Sequence, residues 1–296
     1  MPVASDGELG NRLVRLTGDF ADDSMMLKSA IIEEGLSLVP KFTLDILTKD
    51  RTIELKSIVG KKLDMEVLTT DDGVRHFKGI CVSGQYLGDA ERFGIYRVEV
   101  RPWLWFLSKR QNYRAYQDKS ATDIIKDVIG DAGFAGSFDK KAADTEPRDF
   151  CLQYRETDLD FINRLMEEEG IYYYFDYSST GEERLVLADS FGSHSALEGA
   201  AKLEFFPPET DFRRAQDHIY EWFSAEEATF GKVTMRDYDF EKPQLDLQTS
   251  RTLERGEQPA KTFETYLYPA RAREGDKFTR IRMEAEAIRS KTGRGV

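Results

Sequence analysis

Between Val14 and Val100, apolar residues alternate with polar ones in short runs: Val14 and Leu16; Phe42, Leu44 and Ile46; Leu63, Met65 and Val67; Ile80 and Val82; Tyr96, Val98 and Val100. A period of two puts each set on one strand face, which predicts antiparallel sheet over the first hundred residues. Asp71, Asp72 and Gly73, and the stretch from Gly88 to Gly94, carry turn chemistry between strands. Thr52 stands where it would cap a short helix over 53–60. Pro102 ends the last strand, and Trp103, Trp105 and Phe106 follow at once, so a first domain is expected over 1–110.

The period then becomes helical. Ser120 with Asp123 reads as a helix start, and Ile124, Ile125, Val128 and Ile129 form its apolar face up to Gly133. Residues 135–148 read as loop. The second expected domain, 111–215, is organised around DFCLQYRETDLDFINRLMEEEGIYYYFDY, from Asp149 to Tyr177. Phe150, Leu152 and Tyr154 share one strand face, while Cys151, Gln153 and Arg155 take the other. Thr157 occupies the N-cap position, and Asp160 three residues on completes a loose capping box. Leu159, Ile162, Leu165 and Met166 make an apolar stripe, and Gly170 supplies the left-handed residue that ends the helix.

The next strand carries rings on both faces. Ile171, Tyr173, Phe175 and Tyr177 point one way, Tyr172 and Tyr174 the other. A barrel strand needs only one apolar face, so Tyr172, Tyr174 and Phe175 are the candidate interface residues. SSTG at 178–181 is the expected turn into a returning strand, RLVLAD.

Over 216–296, HIYEWF and KVTMRDYDF alternate as a hairpin pair would, residues 242–261 read as an exposed connection, and Phe278, Ile281, Ala285 and Ile288 predict a helix from about Gly275 to Ser290. The expected fold is β-rich α+β: two similar antiparallel β-barrel-like domains with short inserted helices, completed by strands returning from 216–296.

A net charge of -12 and a pI near 5.0 argue against a nucleic-acid surface. No apolar run approaches a membrane span, so stable membrane insertion is not expected. The polar start MPVASDGELGNRL is not a signal peptide, and Cys81 and Cys151 are expected to be reduced thiols. His76, His194 and His218 have no metal-motif spacing, and GDAGFAG at 130–136 misses the dinucleotide pattern, so no metal and no cofactor is expected. Ser190, His194 and Ser195 near Asp189 form no nucleophile elbow and read as a polar loop. Carboxylates at Glu167 to Glu169, or at Asp237, Asp239 and Glu241 on one strand face, are the best hydrolase candidates. Solvated acidic faces are the plainer account of both, and no catalytic residue is assigned.

QYRETDLDFINRLMEEEGIYYYF (153–175), followed by LVLADS (185–190), resembles the signature of the VgrG proteins of type VI secretion, and PWLWFLSKRQNYRAYQDKSATDII (102–125) matches the segment upstream of it in that family. The resemblance implies a non-enzymatic, phage baseplate-hub-like base for a puncturing spike: a homotrimer that docks on the Hcp tube ring and contacts baseplate components. Family members continue past KTGRG into an oligonucleotide-binding-like barrel and a β-helix needle, through which tip protein and effectors are carried. Ending at Val296, this chain is expected to be truncated before them. Cytoplasmic assembly followed by secretion without a cleaved signal is implied as well. A bacteriophage baseplate hub is the related alternative.

Overall fold

The computed structural model describes residues 13–22, 24–68, 73–177, 183–194, 204–207, 218–252, 262–268 and 275–295. Strands β1 (Val14–Gly18), β2 (Met26–Glu33), β3 (Lys41–Thr48), β4 (Lys62–Leu68), β5 (Val74–Ala90) and β6 (Phe93–Arg101) form one antiparallel sheet in the order β1-β4-β5-β6-β3-β2. The edge strands β1 and β2 lie against each other, so the sheet curls around its own core. Alternation places Phe42, Leu44, Ile46, Leu63, Met65, Val98 and Val100 inside, as the pattern predicts. On β5 the inward set is Phe77, Gly79 and Cys81, one register away from Ile80 and Val82. Gly79 is required there, because a Cβ would stand 2.6 Å from the Arg101 carbonyl oxygen.

The β5–β6 hairpin is tighter than expected, with Ala90 opposite Phe93 and Glu91 left-handed at the tip (φ 53). Asp71 and Asp72 lie outside the described residues. The short helix α1 (Leu55–Ile58) has Glu54 at its N-cap without a side-chain bond. Thr52 does not cap it. Its N–H and hydroxyl both donate to the Asp50 carboxylate (2.8 and 2.7 Å), closing a local turn instead.

The same compact unit continues through a 3-10 helix (Trp103–Lys109), β7 (Gln111–Ser120), α2 (Ala121–Asp131), β8 (Phe138–Lys140), β9 (Pro147–Thr157), α3 (Asp158–Glu169), β10 (Tyr172–Asp176) and β11 (Arg184–Ala188). β7 and β9 pair antiparallel, and so do β10 and β11, while β8 adds to β11 in parallel. Residues expected to be loop at 135–148 therefore contribute β8 and the start of β9. A second core collects Trp103, Leu104, Leu107, the predicted apolar faces of α2 and α3, Tyr173 and Leu187. It also contains Phe161, absent from the predicted stripe. Ser120 caps α2, accepting from the Asp123 N–H at 3.1 Å.

Thr157 Oγ1 accepts the Asp160 N–H at 3.0 Å and donates to its carboxylate at 2.7 Å. Gly170 is left-handed at φ 74 while the Ile171 N–H reaches back to the Met166 carbonyl at 2.8 Å, a Schellman closure of α3. Thr157→Ala is expected to lower stability by about 1 kcal/mol, read as a downward shift of the urea midpoint. A midpoint unchanged within error would show that the cap contributes nothing.

Residues 196–296, with Glu168–Gly170, form a second compact unit. Its strands are β12 (Glu204–Phe205), β13 (His218–Ile219), β14 (Trp222–Glu226), β15 (Lys232–Asp237), β16 (Leu247–Thr252) and β17 (Glu264–Leu267), followed by α4 (Gly275–Ser290) and β18 (Lys291–Gly295). Among the described residues these strands pair only with one another: β12 with β13, β14 with β18, and β15 with both β16 and β17. The expected completion of the earlier barrels by returning strands is not seen there. Nor do HIYEWF and KVTMRDYDF form a hairpin, since β14 takes β18 as its partner and β15 takes β16, which lies inside the expected exposed connection.

Helix α4 runs where its spacing predicts. It buries Phe278 and Met283 against Val233 and Met235, while Ile288 is 71% exposed. The three acids at the end of α3 are not one solvated face: Glu169 is 4% exposed and its carboxylate receives Lys277 Nζ at 3.0 Å. No helix among the described residues is long and apolar enough to cross a membrane.

Candidate functional site

The strand-helix-strand motif β9–α3–β10 is held by a buried polar cluster. Asp158 opens α3 with no exposed side-chain surface, and its backbone N–H donates to the Arg110 carbonyl at 2.8 Å. Its carboxylate accepts from Gln153 Nε2 (2.8 Å) and Asn112 Nδ2 (3.1 Å), with Arg110 Nε at 3.3 Å. Gln153 is itself fully buried. This reverses the face that hydrophobicity favours on β9. Cys151 and Gln153 point inward because Asp158 supplies the amide with a partner, whereas Phe150 and Tyr154 are 58% and 49% exposed. The Arg164 guanidinium grips the Glu156 carboxylate at 2.7 and 3.2 Å and donates to the Leu152 carbonyl. The clamp fastens the β7–β9 ribbon to α3.

On β10, Tyr173 is buried and Phe175 packs partly buried against the same core. Tyr172 and Tyr174 face the other way, as alternation predicts, and the chain's own loop supplies a cover. His194 stacks on Tyr172 (5.6 Å between ring centres) and tilts over Tyr174 (5.1 Å), and Tyr172 Oη lies 2.9 Å from the Ser190 carbonyl and 2.7 Å from His194 Nε2. Lys141 donates to the Tyr174 hydroxyl at 3.2 Å. An intramolecular contact thus accounts for part of the tyrosine surface read as an interface.

The hydrolase groupings do not assemble among the described residues. His194 meets Tyr172 in place of a serine, Asp189 accepts the Ala143 N–H, and Ser195 lies outside the described residues. β15 ends at Asp237, so Asp239 and Glu241 fall in a turn and share no strand face with it. Asp64, Glu66 and His76 do converge, with ligand atoms within 4.8 Å of one another. Lys78 already places its ammonium 3.4 Å from the Asp64 oxygen that meets His76 Nδ1 at 2.9 Å, which opposes a cation there.

One buried acid escaped the sequence reading. Glu183, just before β11, accepts the Trp103 N–H at 2.6 Å beside a cavity of about 350 Å³ shared with Lys62, Lys78 and Phe134. Burial pushes its carboxyl up to about 7, against the pull of the Trp103 N–H and the Lys62 ammonium. No local pattern marks it, because its partner is 80 residues away.

Curled antiparallel sheets, a clamped strand-helix-strand motif and rings stacked on its outer face define a β-rich packing module. A family model described as the phage tail baseplate hub (GPD) matches residues 33–296, and the chain belongs to that family. It is 32% identical over 277 residues to the type VI secretion system spike protein VgrG1b of Pseudomonas aeruginosa, covering 93% of this chain and 37% of that protein. Solved structures of the same fold include the tail protein from Neisseria meningitidis MC58 (TM-score 0.64, 12% identity, 95% of this chain and 79% of that one). The 43 kDa tail protein of prophage MuSo2 from Shewanella oneidensis is another (TM-score 0.61, 13% identity, 95% and 81%). The chain spans less than half the length of the curated spike relatives it matches first.

Proposed function

We propose that this chain is the structural hub of a type VI secretion spike: three copies form a ring that docks on the Hcp tube, contacts baseplate components and carries the needle through which tip protein and effectors are delivered. The observation that carries the reading is the match of 93% of the chain to a named spike protein, on top of the hub family itself. Its work is packing, with no enzymatic step, cofactor or nucleic acid. Assembly takes place in the cytoplasm and export follows the contractile apparatus, without a cleaved signal peptide. The hub of a phage tail is the second reading, favoured by the tail proteins that share the fold.

Purified Hcp rings mixed with the chain are expected to co-elute with it on gel filtration at a fixed ratio of three chains to one ring. Failure to bind cognate Hcp, together with capture by a phage tail-tube protein, would transfer the role to the second reading.

A further inference from the structure

The outer face of the β7–β9 ribbon is aromatic and bare. Tyr113, Phe150 and Tyr154 are 68%, 58% and 49% exposed, Tyr113 and Tyr154 meet edge to face at 5.2 Å, and Leu152 sits opposite Ala115 between them and Phe150. A bulge shapes this face: the register skips from Asn112–Glu156 to Arg114–Gln153, so that Tyr113 stands against both Tyr154 and Arg155. Arg155 is left-handed (φ 53) without being glycine, and its guanidinium lies over the Tyr154 ring at 5.2 Å. Strain of that kind persists where the surroundings hold it, and it aims a cation at one end of an aromatic surface.

The other end carries the opposite sign. Asp118, also left-handed (φ 51), and Asp149 are exposed between the Gln117–Phe150 and Lys119–Arg148 pairs. Six residues of strand separate Asp149 from Arg155, about 20 Å. Among the described residues, Arg155, Asp118 and Asp149 have no ion-pair partner, whereas Lys119 and Arg114 nearby are matched to Asp127 and Asp131. Rings flanked by an arginine, with few charges among them, have the composition of a protein contact, and a patch positive at one end and negative at the other is complementary to a copy of itself turned through two-fold rotation.

We propose that this ribbon face is a contact surface for a second copy of the chain, the Arg155 end of each ribbon meeting the Asp118 and Asp149 end of its partner. The contact is two-fold and therefore distinct from the three-fold ring of the hub reading. Its success or failure leaves Hcp binding untouched.

Sedimentation equilibrium of the full chain over a wide concentration range is the test. The wild type is expected to populate species containing even numbers of copies, more weakly at high salt. Phe150→Ser with Tyr154→Ser, Arg155→Asp alone, and Asp118→Lys with Asp149→Lys should each weaken that association at least tenfold. The triple reversal Arg155→Asp, Asp118→Lys, Asp149→Lys should restore it to within a few-fold. The charge variants alter only exposed side chains, and circular dichroism checks that they fold. Strict monomers or trimers at every concentration, single reversals without effect, or a triple reversal that stays weak would each overturn the proposal. Retained self-association with loss of binding to another protein in the ribbon variants would likewise assign the face to that partner and overturn it.

Discussion

Replacing Asp158 by alanine is expected to lower the stability of the first unit by about 3 kcal/mol, among the largest effects of any single polar substitution in the chain. The carboxylate is fully buried and serves Gln153, Asn112 and Arg110 together. Its removal leaves a buried amide without an acceptor and a guanidinium without its counter-charge, and an unmade buried bond costs more than a formed one contributes. Asp158→Asn keeps an oxygen for Gln153 and should lose less than half as much. Trp103 and Trp105 belong to this unit, so urea unfolding followed by fluorescence reads it. A midpoint for Asp158→Ala equal to wild type would mean that the ribbon and α3 are held by apolar packing alone.

The second large effect is a pH dependence set by Glu183. Its folded carboxyl is raised to about 7 from 4.5, so between those values the folded state holds a proton that the unfolded state has released. Stability therefore falls as pH rises through that window: the full contribution is present below about 4.5 and is gone above about 7. A displacement of that size corresponds to at most about 3 kcal/mol, reduced by relaxation around the cavity. Lys62 faces the group from the first sheet and favours its charge, and Lys78 and Asp64 line the same cavity. Glu183→Gln keeps an acceptor for the Trp103 N–H. The variant should match wild type near pH 5 and exceed it near pH 8. Parallel stability curves for the two proteins across this range would remove Glu183 as the source.

Helix α3 shows how much was legible beforehand. Thr157, Asp160, the apolar stripe and Gly170 act on neighbours within a turn or two of the chain, and each makes the bond or buried contact its spacing predicts. Ser120 and Asp123 on α2 do the same. The strands of the first sheet follow for a similar reason, since a strict period of two leaves one face for the core.

What was not legible in the sequence shares a different cause. On β9 the more hydrophobic face was exposed because Gln153 found Asp158, and on β5 a glycine approached by Arg101 set the inward register. β14 paired with a strand some 70 residues later, where adjacency in sequence suggested a hairpin. Tyr172 and Tyr174 found a histidine 20 or more residues on.

By itself the sequence determined where α2, α3 and α4 start and stop, which residues alternate, and the family to which its longest motif belongs, because these are carried by residues close together in the chain. The tertiary structure alone decided which face of β9 is buried, which strands pair after residue 204, and that Glu183 and Asp158 sit away from water. Those outcomes turn on partners distant in the chain, brought together only when burial makes an unpaired polar group more costly than ordering the backbone to reach one.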